Sequence, residues 1–425
     1  MKPKRTVIIG LDGVPLQLLE DLVKSSVMPN MQRIIQNGLL KSVFSTIPEI
    51  SSVAWSSIIT GQNPGQHGIF GFTELVADSY RLKFPNFSDL KSLPFWDLSK
   101  GKSIILNVPS TYPVRAMNGV HTSGFVSVDM RKSVHPASLL GKLKELDYRL
   151  DVDSQKAHNN LGMFIEDLEK TLAGRIKTYR YLWDYTDWET FMLVFTGTDR
   201  LMHFLWDAYE DKNHKHHRDF IEHFHKIDEA IGQINENINE DDTLILLSDH
   251  GFERLDKDIY INRFLMQQGF LVFAQGTEPN WSNIDFSTKA FALDPARIYI
   301  NLKDKYPKGS VGPEQKNGLI NELEKLFNSL EVDGRKVINR VHRREDIYSG
   351  PHVEDASELV LIANEGFNLK AAMASNELSS RGIFTGKHTY QGAFLLLNNK
   401  DLAAELPDEA SVIDVGKLIQ NFVKT

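Results

Sequence analysis

The chain contains no cysteine among its 425 residues. Disulfides, thiolate metal sites and cysteine nucleophiles are excluded together, and the composition suits a reducing compartment. A long apolar run is missing too. Val7 to Leu11 follows Lys2, Lys4 and Arg5, but it is five residues long and stops at Asp12, against about 7–15 residues for a secretory core. No segment nears the roughly 18 apolar residues of a membrane span. These absences make a cytoplasmic protein with no membrane partner the expectation. There is also no basic excess: the formal net charge is -8, so no surplus of cations exists to neutralise a nucleic-acid polymer.

What is present is a core-forming composition, 41% hydrophobic and 24% charged, within ordinary globular values. The length exceeds one minimal core and implies two domains or one large domain with an insertion. Short apolar runs rich in β-branched residues, Val7–Leu11, Ser103–Asn107, Thr190–Phe195 and Thr243–Leu247, read as strands buried on both faces. Between them lie helical stretches at Met31–Asn37, Val53–Thr60, Leu161–Leu182 and Phe220–Ile238. Strands alternating with helices predict an α/β fold with a mainly parallel sheet. From Gly269 to about Gly350 the texture changes to a strand at Arg297–Leu302, a helix at Pro313–Leu330 and a strand at Lys336–Val341. This predicts a core of residues 1–268 and 351–425 with an α+β insertion, or cap, at 269–350 that shapes substrate choice. Leu359–Ile362 and Ala393–Leu397 are expected to rejoin the main sheet.

Ligands of open α/β sheets gather at the carboxyl ends of strands. Three such ends carry acids: Asp12, Asp199, and Asp249 with His250. An aspartate after a strand is ordinarily a helix N-cap, yet two of these three are joined by histidines. Asp199 and His203 stand four apart, which on a helix sets carboxylate and imidazole on one face. Asp249 and His250 adjoin at a strand end, where Gly251 permits a sharp turn. His388 lies on a loop between Gly386 and Gly392. Ser51 or Ser52 falls at the start of a helix, where serine caps amides but where phosphate is also attracted. The tract of His214, His216, His217, His223 and His225 reads as a solvated helix face, and His67 as a turn residue.

The order and spacing of these segments resemble the alkaline phosphatase superfamily, and within it the type I phosphodiesterase/nucleotide pyrophosphatase-like branch. The resemblance runs from Val7–Gly13 through the Ser51 segment, Thr60-Gly61, Pro64 and His67-Gly68-Ile69. It continues through Asn107-Val108-Pro109, Thr111-Tyr112-Pro113, Thr198-Asp199-Arg200, His203 and Ser248–Gly251 to Gly386 and His388. It implies an alkaline-phosphatase-like central sheet flanked by helices. It implies a hydrolase of phosphoric esters (phosphodiesterase, phosphatase or phosphonate hydrolase) acting on a small phosphorylated substrate. It also implies two divalent metal ions per chain: zinc, with manganese or iron as alternatives. One centre would use Asp199, His203 and His388, and the other Asp12, Asp249, His250 and the oxygen of the nucleophile. Counting back sixteen residues from His67 lands on Ser51 as nucleophile, with Ser52 the fallback. Asn107, Tyr112 and Lys387 become candidate substrate contacts.

Two features depart from the branch. The nucleophile is serine rather than threonine, and the position twenty-one residues after it, where the branch carries a phosphate-binding asparagine, is Phe72. The nucleophile pattern of sulfatases and the inserted transferase domain of phosphoglycerate mutases are absent from the sequence. Alternatives on the same scaffold are a phosphomutase or phosphotransferase, and a catalytically silent metal- or phosphate-binding protein. A dehydrogenase would need Gly-x-Gly-x-x-Gly after the first strand, which Gly10-Leu11-Asp12-Gly13-Val14-Pro15 does not supply.

Overall fold

Burial on both faces explains the run of apolar residues from Thr6 to Leu11, every one of which is buried in strand β1 (Thr6–Leu11). The structure is a computed structural model describing residues 4–400 and 406–424. The chain divides into two compact units, one of residues 1–62, 86–253 and 383–425, the other of residues 63–85 and 254–382.

The first unit is built on an eight-stranded sheet. Its further strands are β2 (Leu39–Val43), β3 (Ser103–Val108), β4 (Gly119–Ser123), β5 (Val134–His135), β6 (Thr190–Phe195), β7 (Thr243–Leu247) and β8 (Ala393–Leu397). They lie in the order β2-β8-β7-β1-β6-β3-β4-β5. The five central strands run parallel, and β2, β8 and β5 are antiparallel to their neighbours. The sequence order of β7, β1 and β6 gives no hint that they are adjacent, yet that adjacency sets Asp249, Asp12 and Asp199 at one edge. Because β8 runs antiparallel, its beginning reaches the same edge and carries the preceding His388 there.

Among the helices of this unit are α1 (Pro29–Asn37), α2 (Ser51–Thr60), α3 (Leu161–Trp183), α4 (Gly197–Glu210), α5 (His217–Glu236) and α6 (Val412–Lys424). All ten residues of α2 are buried. Two of its hydroxyls are satisfied within the helix: Ser56 Oγ donates to the Ser52 carbonyl and Thr60 Oγ1 to the Ser56 carbonyl, both at 2.6 Å. That back-bonding lets a serine-rich helix lie in an apolar interior. Helix α4 kinks at Leu205. The freed amide of Trp206 donates to Thr385 Oγ1 at 2.7 Å, and the Thr385 amide donates to the His203 carbonyl at 2.7 Å. The kink is thus a side-chain insertion into the helical ladder, and it ties the segment before His388 to the helix that carries His203.

In the second unit, Ala290–Leu293, Arg297–Ile300, Leu359–Ala363 and Ile338–Arg343 form a four-stranded antiparallel sheet in that order. Helix Pro313–Asn328 supplies Leu319, Ile320, Leu323 and Phe327 to the core of this unit. Leu359–Ile362 therefore does not rejoin the main sheet: its two edges pair with Arg297–Ile300 and Ile338–Arg343 instead. Gly366–Lys370 likewise pairs with Leu255–Tyr260. The unit is for this reason wider than the expected 269–350 insertion, taking in 63–85, 254–268 and 351–382 as well. Among the described residues no helix is long and apolar enough to cross a membrane.

Candidate active site

Seven side chains foreseen from sequence meet at the carboxyl edge of the sheet in the first unit. Asp12 follows β1, and Asp199 sits in the first turn of α4 after β6. Asp249 and His250 follow β7, and Ser51 opens α2 behind Ile50 as N-cap. Donor atoms of Asp199, His203 and His388 lie within 4.8 Å of one another, as do those of Asp12, Asp199 and His250. Asp199 therefore belongs to both clusters, where the resemblance had placed it in one. Asp249 falls just outside the tighter trio, with Oδ2 3.4 Å from His250 Nε2.

The imidazoles are held in one tautomer. His203 Nδ1 is 3.1 Å from the Gly386 carbonyl, His388 Nδ1 3.0 Å from the Glu49 carbonyl, and His250 Nδ1 3.0 Å from the Gly251 carbonyl. A carbonyl only accepts, so each Nδ1 carries a proton and each ring turns its Nε2 toward the cluster. His203 Nε2 and His388 Nε2 then face each other at 2.9 Å, and His388 Nε2 stands 2.9 Å from Asp199 Oδ1. Two ring nitrogens and a carboxylate oxygen at that spacing are the arrangement a shared cation, proton or metal ion, holds together. Burial and the nearby His250 push His388 down to about 4, so its own Nε2 stays an acceptor at neutral pH. The donor set of imidazole and carboxylate fits a divalent transition metal, with backbone carbonyls orienting each ring from behind.

The second cluster has the same character. Ser51 Oγ is 3.3 Å from Asp12 Oδ1 and 3.2 Å from His250 Nε2. Asp249 Oδ1 accepts the Gly13 amide at 3.0 Å, while its buried Oδ2 has no hydrogen-bond partner. Burial first, then the charges of Asp249 and Asp199, hold the Asp12 carboxyl well above the usual carboxylate range. Burial likewise pushes Asp249 up to about 7, with Asp199 adding to it, and pushes His250 down to about 4. Burial would raise Asp199 too, but His203 and His388 hold it well below its ordinary value. Crowded carboxylates and an orphaned oxygen describe a site short of positive charge, the condition a bound cation relieves. Gly251 does not take a positive φ. A side chain there would instead meet the Gln391 carbonyl at 2.1 Å, so the glycine serves close approach of the turn before β8.

The family model for type I phosphodiesterase / nucleotide pyrophosphatase matches residues 6–391. The chain belongs to that family. As a type I phosphodiesterase / nucleotide pyrophosphatase family member it is a hydrolase of phosphoric ester bonds. No curated protein matches it. Among solved structures it is similar to phosphonoacetate hydrolase from Sinorhizobium meliloti 1021 in complex with phosphonoacetate, at 14% identity and a TM-score of 0.67, covering 100% of this chain and 97% of that one. It is also similar to murine ectonucleotide pyrophosphatase / phosphodiesterase 5 in complex with AMP, at 12% identity and a TM-score of 0.56, covering 99% and 95%. At these identities the likeness establishes the alkaline-phosphatase-like fold of this family member.

The other candidates stand apart from the cluster or are otherwise engaged. Asn107 is wholly buried: its amide donates to the Val194 carbonyl and Thr196 Oγ1, and its carbonyl oxygen accepts from Tyr148. Tyr112 is half-buried on the turn after β3, where its carbonyl accepts the Phe87 amide. Lys387 is buried, with Nζ 3.2 Å from Glu253 Oε1. His223 is not on a solvated face; it is 1% exposed and its Nδ1 lies 2.8 Å from Glu169 Oε1. His67 Nδ1 accepts the Ile69 amide, a turn contact. Ser52 Oγ is buried with no hydrogen-bond partner and makes neither of the Ser51 contacts. Sequence reasoning missed Glu49, Gly386 and Gly251, because they act through backbone carbonyls that no side-chain pattern reveals.

Proposed function

We propose that this chain hydrolyses a small phosphorylated substrate through a covalent phospho-Ser51 intermediate at a two-metal site. The observation that carries this reading is the facing pair of Nε2 atoms of His203 and His388 at 2.9 Å, with Asp199 Oδ1 2.9 Å from the second. Asp199, His203 and His388 would hold one ion, and Asp12, Asp249, His250 and Ser51 the other, with zinc favoured by the donor types and manganese or iron next. Bound there, the ions would neutralise phosphate charge and lower the pKa of coordinated oxygens. The chain's own residues do the rest. Ser51 stands at the first position of α2, where amides and the helix dipole favour the negative phosphoryl group. Ser51 Oγ loses its proton to solvent and forms the new P–O bond as the P–O bond to an alcohol, or the P–C bond of a phosphonate, breaks, and the departing group takes up a proton from water. Water then cleaves the phosphoseryl ester, releasing phosphate or its monoester and restoring the hydroxyl.

Substrate class belongs to the same reading. The phosphonate and AMP in the two similar structures define the compounds to try, and Phe72 in place of asparagine argues against nucleotide pyrophosphates as first choice. The test uses metal-stripped protein with zinc or manganese added back. Hydrolysis of bis-p-nitrophenyl phosphate and p-nitrophenyl phosphate is followed, with Ser51→Ala beside the wild type. Metal-dependent turnover that falls by about 1,000-fold or more in Ser51→Ala supports the reading, since loss of a nucleophile removes the covalent path. No turnover with any metal, despite two ions bound, sinks the hydrolase mechanism in favour of a phosphotransferase or silent binder.

A further inference from the structure

Asp199 is shared between both clusters, and one of its oxygens is already spoken for. Arg200, the next residue of α4, donates from Nη1 to Asp199 Oδ2 at 3.2 Å. The same guanidinium donates from Nε and Nη2 to Asp151 Oδ2 at 3.3 and 3.0 Å. Its plane is backed by the Phe125 ring, with the guanidinium carbon 3.9 Å from the ring centroid. Asp151 is itself fixed: its Oδ1 accepts the Val152 amide at 2.9 Å. The loop that presents it is clamped by Arg175, whose Nη2 donates to the Arg149 and Leu150 carbonyls and whose Nη1 donates to Thr196 Oγ1. Thr196 is the residue before α4. Asp151 is therefore tied back to the same strand end from which Asp199 springs.

Resting on the two-metal reading, we propose that Arg200, aimed by Asp151, is a positioning residue that occupies Asp199 Oδ2 and so presents Oδ1 alone to His203 and His388. An aspartate between two cation sites has a choice of one-oxygen and two-oxygen contact. A fork pinned on its far side removes that choice and fixes the carboxylate plane. An ammonium cannot do this, since one point donor does not span both Asp151 and Asp199 in a plane. The resemblance located Asp199 but gave no sign of Asp151, which lies forty-eight residues earlier.

The test is metal affinity, not turnover. Metal-stripped wild type, Arg200→Met, Arg200→Lys and Asp151→Asn are titrated with zinc against a chromophoric chelator, with His203→Ala marking which constant belongs to the Asp199 centre. The expected result is two constants in the wild type. The one lost in His203→Ala weakens about 10–100-fold in Arg200→Met and Arg200→Lys, and weakens in the same direction in Asp151→Asn, while the other holds. Unchanged or tighter binding in the variants overturns the inference and leaves the two-metal reading intact. Equal weakening of both constants, with a lower melting temperature of every metal-free variant, overturns it by showing an ordinary structural ion pair. A wild type that binds no metal sinks the two-metal reading itself.

Discussion

His121 shows what a single buried ring costs when it has no partner. It is 1% exposed on β4, ringed by Phe87 and Trp96, and neither of its nitrogens makes a hydrogen bond. Leaving a buried polar group unsatisfied costs about 1–3 kcal/mol. Burial, with His135 and Arg115 adding, pushes its pKa down to about 3. The sign follows directly: between about pH 6.5 and 3 the unfolded chain binds a proton that the folded chain refuses, so stability falls as pH falls through that window. His121→Leu is therefore expected to raise stability by about 1 kcal/mol at pH 7. It should also flatten the acid limb of stability against pH, by up to about 1.4 kcal/mol per unit. Urea melts between pH 7 and 5 check both, and a variant less stable than wild type with the same acid slope refutes the account. His67, buried and pushed down to about 3 by burial, adds acid sensitivity of the same sign in the second unit.

At the scale of elements, two contacts position the helices, one against the sheet and one against another helix. A Cβ on Gly10 of β1 would lie 2.4 Å from Trp55 Cη2 and 3.0 Å from Val194 Cγ2. Trp55 is one turn after Ser51 on α2, so the strand and the candidate nucleophile share this contact. Gly10→Ala is expected to cost about 1–3 kcal/mol by overpacking and to lower turnover beyond the loss of folded protein, because α2 is pushed with its tryptophan. A melt and an assay on the same sample separate the two effects; turnover unchanged per folded molecule would show that α2 does not shift. The second contact is Asp228 of α5, which accepts the Asn30 and Met31 amides at 3.0 and 2.8 Å and so caps α1 from outside. Asp228→Ala should cost about 2 kcal/mol, since two N-terminal amides lose their acceptor, and a loss under about 0.5 kcal/mol in a urea melt would refute it. Such contacts mark the limit of what the sequence discloses. Apolar runs foretold β1, β3, β6, β7 and β8, and ligand-bearing strand ends foretold the cluster. Leu359–Ala363 has the same texture as β7 yet pairs in the other unit, because an apolar run specifies burial and not its partner. The same limit hid Arg200 and Asp151, since local spacing cannot show a contact made across forty-nine residues.

At the scale of the whole molecule, each unit has its own hydrophobic cluster, one around the main sheet and one around the four-stranded sheet. All seven candidate ligands, Asp12, Ser51, Asp199, His203, Asp249, His250 and His388, lie in the first unit. A ligand that binds only the folded form stabilises it by an amount set by its concentration relative to Kd, about 4 kcal/mol per site at 1,000 times Kd. Metal should therefore stabilise one unit and not the other. In calorimetry the zinc-loaded protein is expected to unfold in two resolved transitions, because two separate cores need not melt as one. Excess chelator should move the transition that follows the first unit down by several degrees or more, the size expected for a few kcal/mol in a unit this large. The other transition should stay in place. Tryptophan fluorescence can assign the transitions, because Trp55, Trp96, Trp183, Trp188 and Trp206 belong to the first unit and Trp281 alone to the second. If chelator moves both transitions together, the units unfold as one and the partition into separate cores has no thermodynamic counterpart. If it moves neither while metal binding is demonstrated by titration, the ions bind the unfolded chain as well as the folded one, and the facing imidazoles of His203 and His388 are not a site that folding creates.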